Sequence, residues 1–243
     1  MPHASSDHVH WDQRDGRVAA VAAAIVFSFW VVEVVLPGVG AAQGVLADLD
    51  SPFGRFLDDA HRIASILVLL AAGLGLSLGA RWSRRWLTVS WASMAVFGAA
   101  SLTASLLPGP CVVSTDVACA AESLAEGLAG ATVAQAVVAV VAMLAGLLGV
   151  VSLAVSLRLH GMRSWLPVAV VAAAQTVAVV AVLVLSGLLL AADGSGAPGV
   201  TLGLLERAHL VTVALWLLCA GVLPGPWKRV PHSGLTSTPR RPV

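Results

Sequence analysis

The chain has no tyrosine and no asparagine, a single lysine, three cysteines and few charges of either sign. Only 11% of its 243 residues are Asp, Glu, Lys or Arg, where a soluble domain carries about 25%. That deficit argues against a conventional water-soluble fold. A net charge of +1 gives no sign of a nucleic-acid partner, and none is expected. The preference for Arg over Lys, the missing Asn and Tyr and the abundant Ala and Val are the usage of a GC-rich, bacterial genome. Catalytic signatures are also lacking: there is no Walker motif, no Rossmann glycine pattern, no nucleophile elbow and no His-Glu-x-x-His. There is no Cys-x-x-Cys either, so the cysteines do not read as a redox centre.

What is present is hydrocarbon: 58% of residues are hydrophobic and the mean hydropathy is +0.90. A helical membrane span needs roughly 20 apolar residues. Six such runs stand in the sequence, at about 17–36, 57–80, 86–107, 131–157, 165–192 and 202–223. They are too long for strands and lack the period-two alternation of a membrane barrel. A lipid-exposed backbone must satisfy its own hydrogen bonds, so helices are expected. The fold class is all-α, a polytopic membrane bundle of six transmembrane helices. Residues 1–16 read as a disordered polar tail, and residues 224–243 as a Pro- and Arg-rich tail. Ser77-Leu78, Arg84, Trp86-Leu87 and Val89 are echoed by Ser156-Leu157, Arg163, Trp165-Leu166 and Val168, the residues any basic inner turn would use.

Charge placement sets the expected orientation. Arg14, Arg17, Arg81, Arg84, Arg85, Arg158, Arg163, Lys228, Arg229, Arg240 and Arg241 fall on one side, and only Arg55, Arg62 and Arg207 on the other. Basic residues mark the cytoplasmic face, which puts both termini in the cytoplasm of a plasma membrane. Trp82, Trp86, Trp165 and Trp227 are expected at the inner headgroup level. The first run is longer than a signal-peptide core and contains Glu33, so a retained span is favoured over a cleaved leader.

Three groups of residues invite chemistry. Cys111 and Cys119 lie in a loop on the oxidising side, where a disulfide is expected. Cys219, inside the last run, reads as a small packing residue. The third group sits at the outer membrane boundary. Span two opens with Asp58-Asp59-Ala60-His61-Arg62 and span six with Glu206-Arg207-Ala208-His209. Each contains acid-x-x-His, which places both side chains on one helical face. Glu33 can reach the same level from span one. Such a cluster supports three readings: a clamp of ion pairs, beginning with Asp58 and Arg62 at i,i+4; a zinc site using His61 and His209 with Glu206, Asp58 or Glu33 as oxygen ligands; or a proton- or ligand-sensing site. Gln135, Gln175, Thr176 and the series Ser90, Ser93, Ser101, Thr103 and Ser105 read as helix–helix hydrogen bonding, and Gly75 with Gly79 as close packing. No span carries the several buried charges expected of an ion-coupled transporter.

The acid-rich first outer loop, the Cys111–Cys119 loop with Asp116, and Gly203-Leu204-Leu205-Glu206-Arg207 with Trp216 together resemble a bacterial family of six-span membrane proteins catalogued only as a domain of unknown function. Members often carry a His near the start of span four, where this chain has Ala134-Gln135-Ala136. That departure weakens the zinc reading. The resemblance implies the architecture and no established activity. The expected role is non-enzymatic: an outward polar pocket formed by spans one, two and six, binding a small ligand or lipid headgroup or assisting a membrane partner. No cofactor is expected unless zinc occupies that pocket. The expected partners are membrane lipids, with a homo-oligomer or a second membrane protein as further candidates. The alternative is a metal-dependent hydrolase acting on a lipid or envelope substrate at the outer face.

Overall fold

The structure is a computed structural model that describes residues 12–31, 52–79, 85–107, 117, 121, 124, 130–191 and 199–227. Among these residues there are six α-helices and no strand: α1 (Gln13–Phe27), α2 (Pro52–Leu74), α3 (Arg85–Leu106), α4 (Gly130–Leu159), α5 (Trp165–Ala191) and α6 (Gly199–Val222). A π-helical turn, Gly75–Gly79, extends α2, and a short 3-10 turn, Gly225–Trp227, follows α6. Five helices, α2 to α6, are long and apolar enough to cross a membrane. The chain is a multi-pass membrane protein. The described helix of α1 has 15 residues and is not among the five.

Each helix packs on its sequence neighbour, and α6 packs back on α1, so the six close into a ring. The pairs run antiparallel. Gly16 lies against Leu74 while Phe27 meets His61. Arg17 reaches Val222, and Ser90 bonds Gly149. One end of the ring therefore holds the start of α1 and the ends of α2, α4 and α6. The opposite end holds the starts of α2, α4 and α6.

Two of the helices that begin earlier than hydropathy suggests have a local cause. α1 starts inside the supposedly disordered tail because Asp12 and Asp15 form a capping box. Asp12 Oδ1 accepts from the backbone N–H groups of Arg14 and Asp15, and Asp15 Oδ2 accepts from that of Asp12. Together they satisfy donors that a helix start leaves open. α2 starts at Pro52, a residue preorganised for the first helical position, rather than at Leu57. Its first turns thus precede the apolar run.

The core is built from aromatics set against small residues. Phe27 touches His61 and Phe97, and Phe97 meets Trp216 edge-on at 5.9 Å. A Cβ on Gly149 would stand 2.3 Å from Trp216, and one on Gly75 would stand 2.3 Å from Trp91. Trp227 departs from expectation. It is buried rather than placed at the lipid headgroups, at 4.8 Å from Trp91, and its Nε1 donates to Ala220 O. The 3-10 turn carries it back under the bundle, where Gly16 leaves it room. Residues 225–227 thus belong to the bundle and not to the tail. Trp86 is exposed, and Trp165 lies under the Arg158 guanidinium, as an interfacial pair would. Large apolar side chains such as Val170, Val177 and Leu188 point outward from α5, which suits a lipid solvent. Glu33, Cys111 and Cys119 lie outside the described residues, and so does the expected disulfide.

The tight glycines give a direct test. Gly149→Ala should lower the thermal unfolding midpoint in detergent, at a cost of about 1–3 kcal/mol for forcing a methyl into Trp216. Gly130→Ala, where nothing lies within 4 Å, should leave it unchanged or raise it, by up to about 1 kcal/mol of helix propensity.

Candidate functional site

The ring places α1 between α2 and α6, so the first, second and sixth helices are consecutive around one side. The two acid-x-x-His strings ride on α2 and α6. They sit farther from their helix starts than hydropathy suggests, because α2 begins at Pro52 and α6 at Gly199. His61 is nine residues into α2 and His209 is ten residues into α6, which at 1.5 Å per residue is about 14–15 Å from each helix start.

The members of the cluster part into two sets. Asp58, Asp59 and Arg62 form a clamp near the start of α2. The Arg62 guanidinium pairs with Asp58 at 2.5 Å and with Asp59 at 3.7 Å. Its Nη2 also donates to Ser105 O at 3.0 Å. That carbonyl belongs to the last turn of α3, where helix carbonyls lack intrahelical donors and a cation is favoured by the helix dipole. Arg62 therefore joins α2 to the end of α3. Spacing alone shows the i,i+4 pair but not this third contact.

The second set is interior. His61, Glu206 and His209 are all buried, at 0%, 2% and 0% exposure. Asp58 does not pair with His61. Instead, His61 Nδ1 donates to Leu57 O at 2.8 Å. In the neutral ring this leaves Nε2 as an acceptor, and Nε2 finds no partner among the described residues. Both ring nitrogens of His209 are likewise unpartnered there. Arg207 is half-buried and forms no ion pair among the described residues.

One contributor escaped the sequence reading. Trp30, on the turn that continues α1, is buried with its indole N–H unpartnered among the described residues. Thus α1, α2 and α6 each present a buried polar atom that the described protein leaves unsatisfied, and so do α3 through Trp91 and Ser101, α4 through Ser152 and α5 through Ser186. The available signal was a tryptophan three residues before Glu33 within an apolar run. Gln135 on α4 and Gln175 on α5 are also buried with unsatisfied amide atoms. Of the small hydroxyl residues, Ser90 does bond across helices, to Gly149 O at 2.9 Å. Thr103, Ser105 and Thr176 bond back to their own helices.

Among the described residues no three His, Cys, Asp or Glu side chains are gathered so as to hold a metal ion. His61, His209 and Glu206 are therefore not shown converging as the zinc reading requires. Comparison with protein-family profiles, with curated proteins and with solved structures returned no match.

The clamp predicts a stability effect without a binding effect. Arg62→Met should destabilise the protein by about 1–3 kcal/mol through the lost charged hydrogen bond and the uncapped end of α3. Chemical denaturation in mixed micelles would read it.

Proposed function

We propose that this is a six-crossing protein of a bacterial plasma membrane, with α1 as the sixth crossing and both termini in the cytoplasm. It binds a small polar molecule between α1, α2 and α6 and performs no reaction on it. The observation that carries the reading is the set of buried, unsatisfied polar atoms on those three adjacent helices: Trp30 Nε1, His61 Nε2 and the His209 ring. Buried polar groups are nearly always hydrogen-bonded, and a native exception calls for a water, an ion or a ligand. The chemistry of the set defines what would fit. Trp30 supplies a donor and His61 Nε2 an acceptor, so the molecule carries both a hydroxyl- or amine-type donor and an acceptor. The orientation rests on the basic and Trp-bearing turns at the end where α1 starts.

Unsatisfied atoms retained for binding cost stability in the empty protein. His209→Leu should therefore hold or raise the thermal midpoint of the ligand-free protein. The same variant should lose any stabilisation given to wild type by a panel of hydroxyl- and amine-bearing metabolites. A midpoint several degrees lower, with ligand response intact, would make His209 a packing residue and sink the proposal.

The hydrolase alternative has its own check. Elemental mass spectrometry of the purified protein should find zinc well below one equivalent. Near-stoichiometric zinc, lost in a His61→Ala/His209→Ala double variant, would replace the ligand pocket with a metal centre.

A further inference from the structure

A second site lies at the other end of the ring and does not depend on the polar pocket. Where α1 converges on the end of α6, the outer surface carries a groove of about 580 Å³. This lies within the usual range of roughly 300–1,000 Å³ for a small-molecule site. Its walls come from one stripe of α1, Arg14, Arg17, Val18, Val21 and Ile25, and from Gly221 and Val222 of α6. Gly221 makes the convergence possible, because a Cβ there would strike Val21 at 2.7 Å and the Arg17 carbonyl at 2.9 Å.

The groove has a polarity gradient along its length. Gln13, Arg14 and Arg17 stand at one end, and the remainder is Val18, Val21, Ala22 and Ile25. From Val18 to Ile25 the apolar wall rises about 10 Å, which fits within one leaflet of hydrocarbon, about 15 Å. Charged head and apolar tail thus follow one another in the order of a phospholipid.

The arginines are available to an anion. Arg17 is fixed by α6, with Nε donating to Gly221 O at 2.8 Å and Nη2 to Val222 O at 2.7 Å. A guanidinium has five N–H donors, so three remain. Arg14 is exposed, and its side chain has no partner among the described residues. The nearby carboxylates of Asp12 and Asp15 are engaged with backbone N–H groups of the capping box. Two guanidiniums lining the same end of the groove favour a phosphate.

We infer that this α1–α6 groove binds one anionic phospholipid, its phosphate on Arg14 and Arg17 and one acyl chain along Val18, Val21, Ala22 and Ile25. The anchored Arg17 distinguishes it from the general lipid boundary, since half of the cradle is preorganised.

The test uses the full chain in detergent, titrated with phosphatidylglycerol or with phosphatidylcholine of the same acyl chains, bound lipid being counted by native mass spectrometry. Inorganic phosphate serves as a competitor. The expected result is one phosphatidylglycerol held roughly tenfold more tightly than phosphatidylcholine, because both phosphates can accept from the arginines but the choline cation of the second opposes their charge. Arg14→Gln should abolish that preference. Val18→Trp, which fills the groove at an exposed position, should block binding while leaving lipid-free thermal stability unchanged. Inorganic phosphate should not compete. A phosphatidylglycerol preference unchanged in both variants overturns the inference. So does displacement by inorganic phosphate with binding untouched in Val18→Trp, which would reveal a simple anion site.

Discussion

Inside hydrocarbon, two helices gain nothing by hiding an alkyl side chain from lipid, because lipid solvates it equally well. They must gain by touching, and close touching requires small residues opposite large ones. This chain meets that demand with glycine against tryptophan. Gly149 receives Trp216, Gly75 receives Trp91, and Gly16 receives Trp227. These contacts tie α4 to α6, α2 to α3 and α1 to the turn after α6. The line from His61 through Phe27 and Phe97 to Trp216 crosses the bundle and gives it a rigid centre.

Helix ends raise the opposite difficulty, since their last carbonyls have no donors of their own. Two arginines supply donors from a neighbouring antiparallel helix. Arg17 of α1 closes the end of α6, and Arg62 of α2 bonds the end of α3. The same device thus acts at both ends of the ring. It leaves the two arginines in different company: Arg62 is matched by Asp58 and Asp59, whereas Arg17 shares its end of the groove with Gln13 and Arg14.

Five crossing helices were legible in hydropathy because the demand for about 20 apolar residues is nearly independent of context. Helix starts were less legible. The Asp12–Asp15 capping box and Pro52 extend α1 and α2 into polar sequence, which puts His61 nine residues into its helix rather than near its start. Ring order is not encoded in hydropathy at all, so the adjacency of α1 to both α2 and α6 came only from the structure. The acid-x-x-His pattern indicated which residues were unusual but not their pairing. Asp58 turns to Arg62, and His61 turns to Leu57 O. Trp30 and Trp227 were the hardest to read, since an interfacial and a buried tryptophan look alike in sequence and differ only in what packs on them.

The seam between α1 and α6 joins the first and last of the described helices. During synthesis the first helix can pair with α2 at once, but its other flank stays open to lipid until the last helix has entered the membrane. Ring closure is thus the helix pairing with the greatest sequence separation among the described residues, the kind that costs the most loop-closure entropy. Trp227 then latches the seam from below. A chain interrupted before it would leave Gly16 and Trp91 without their common neighbour.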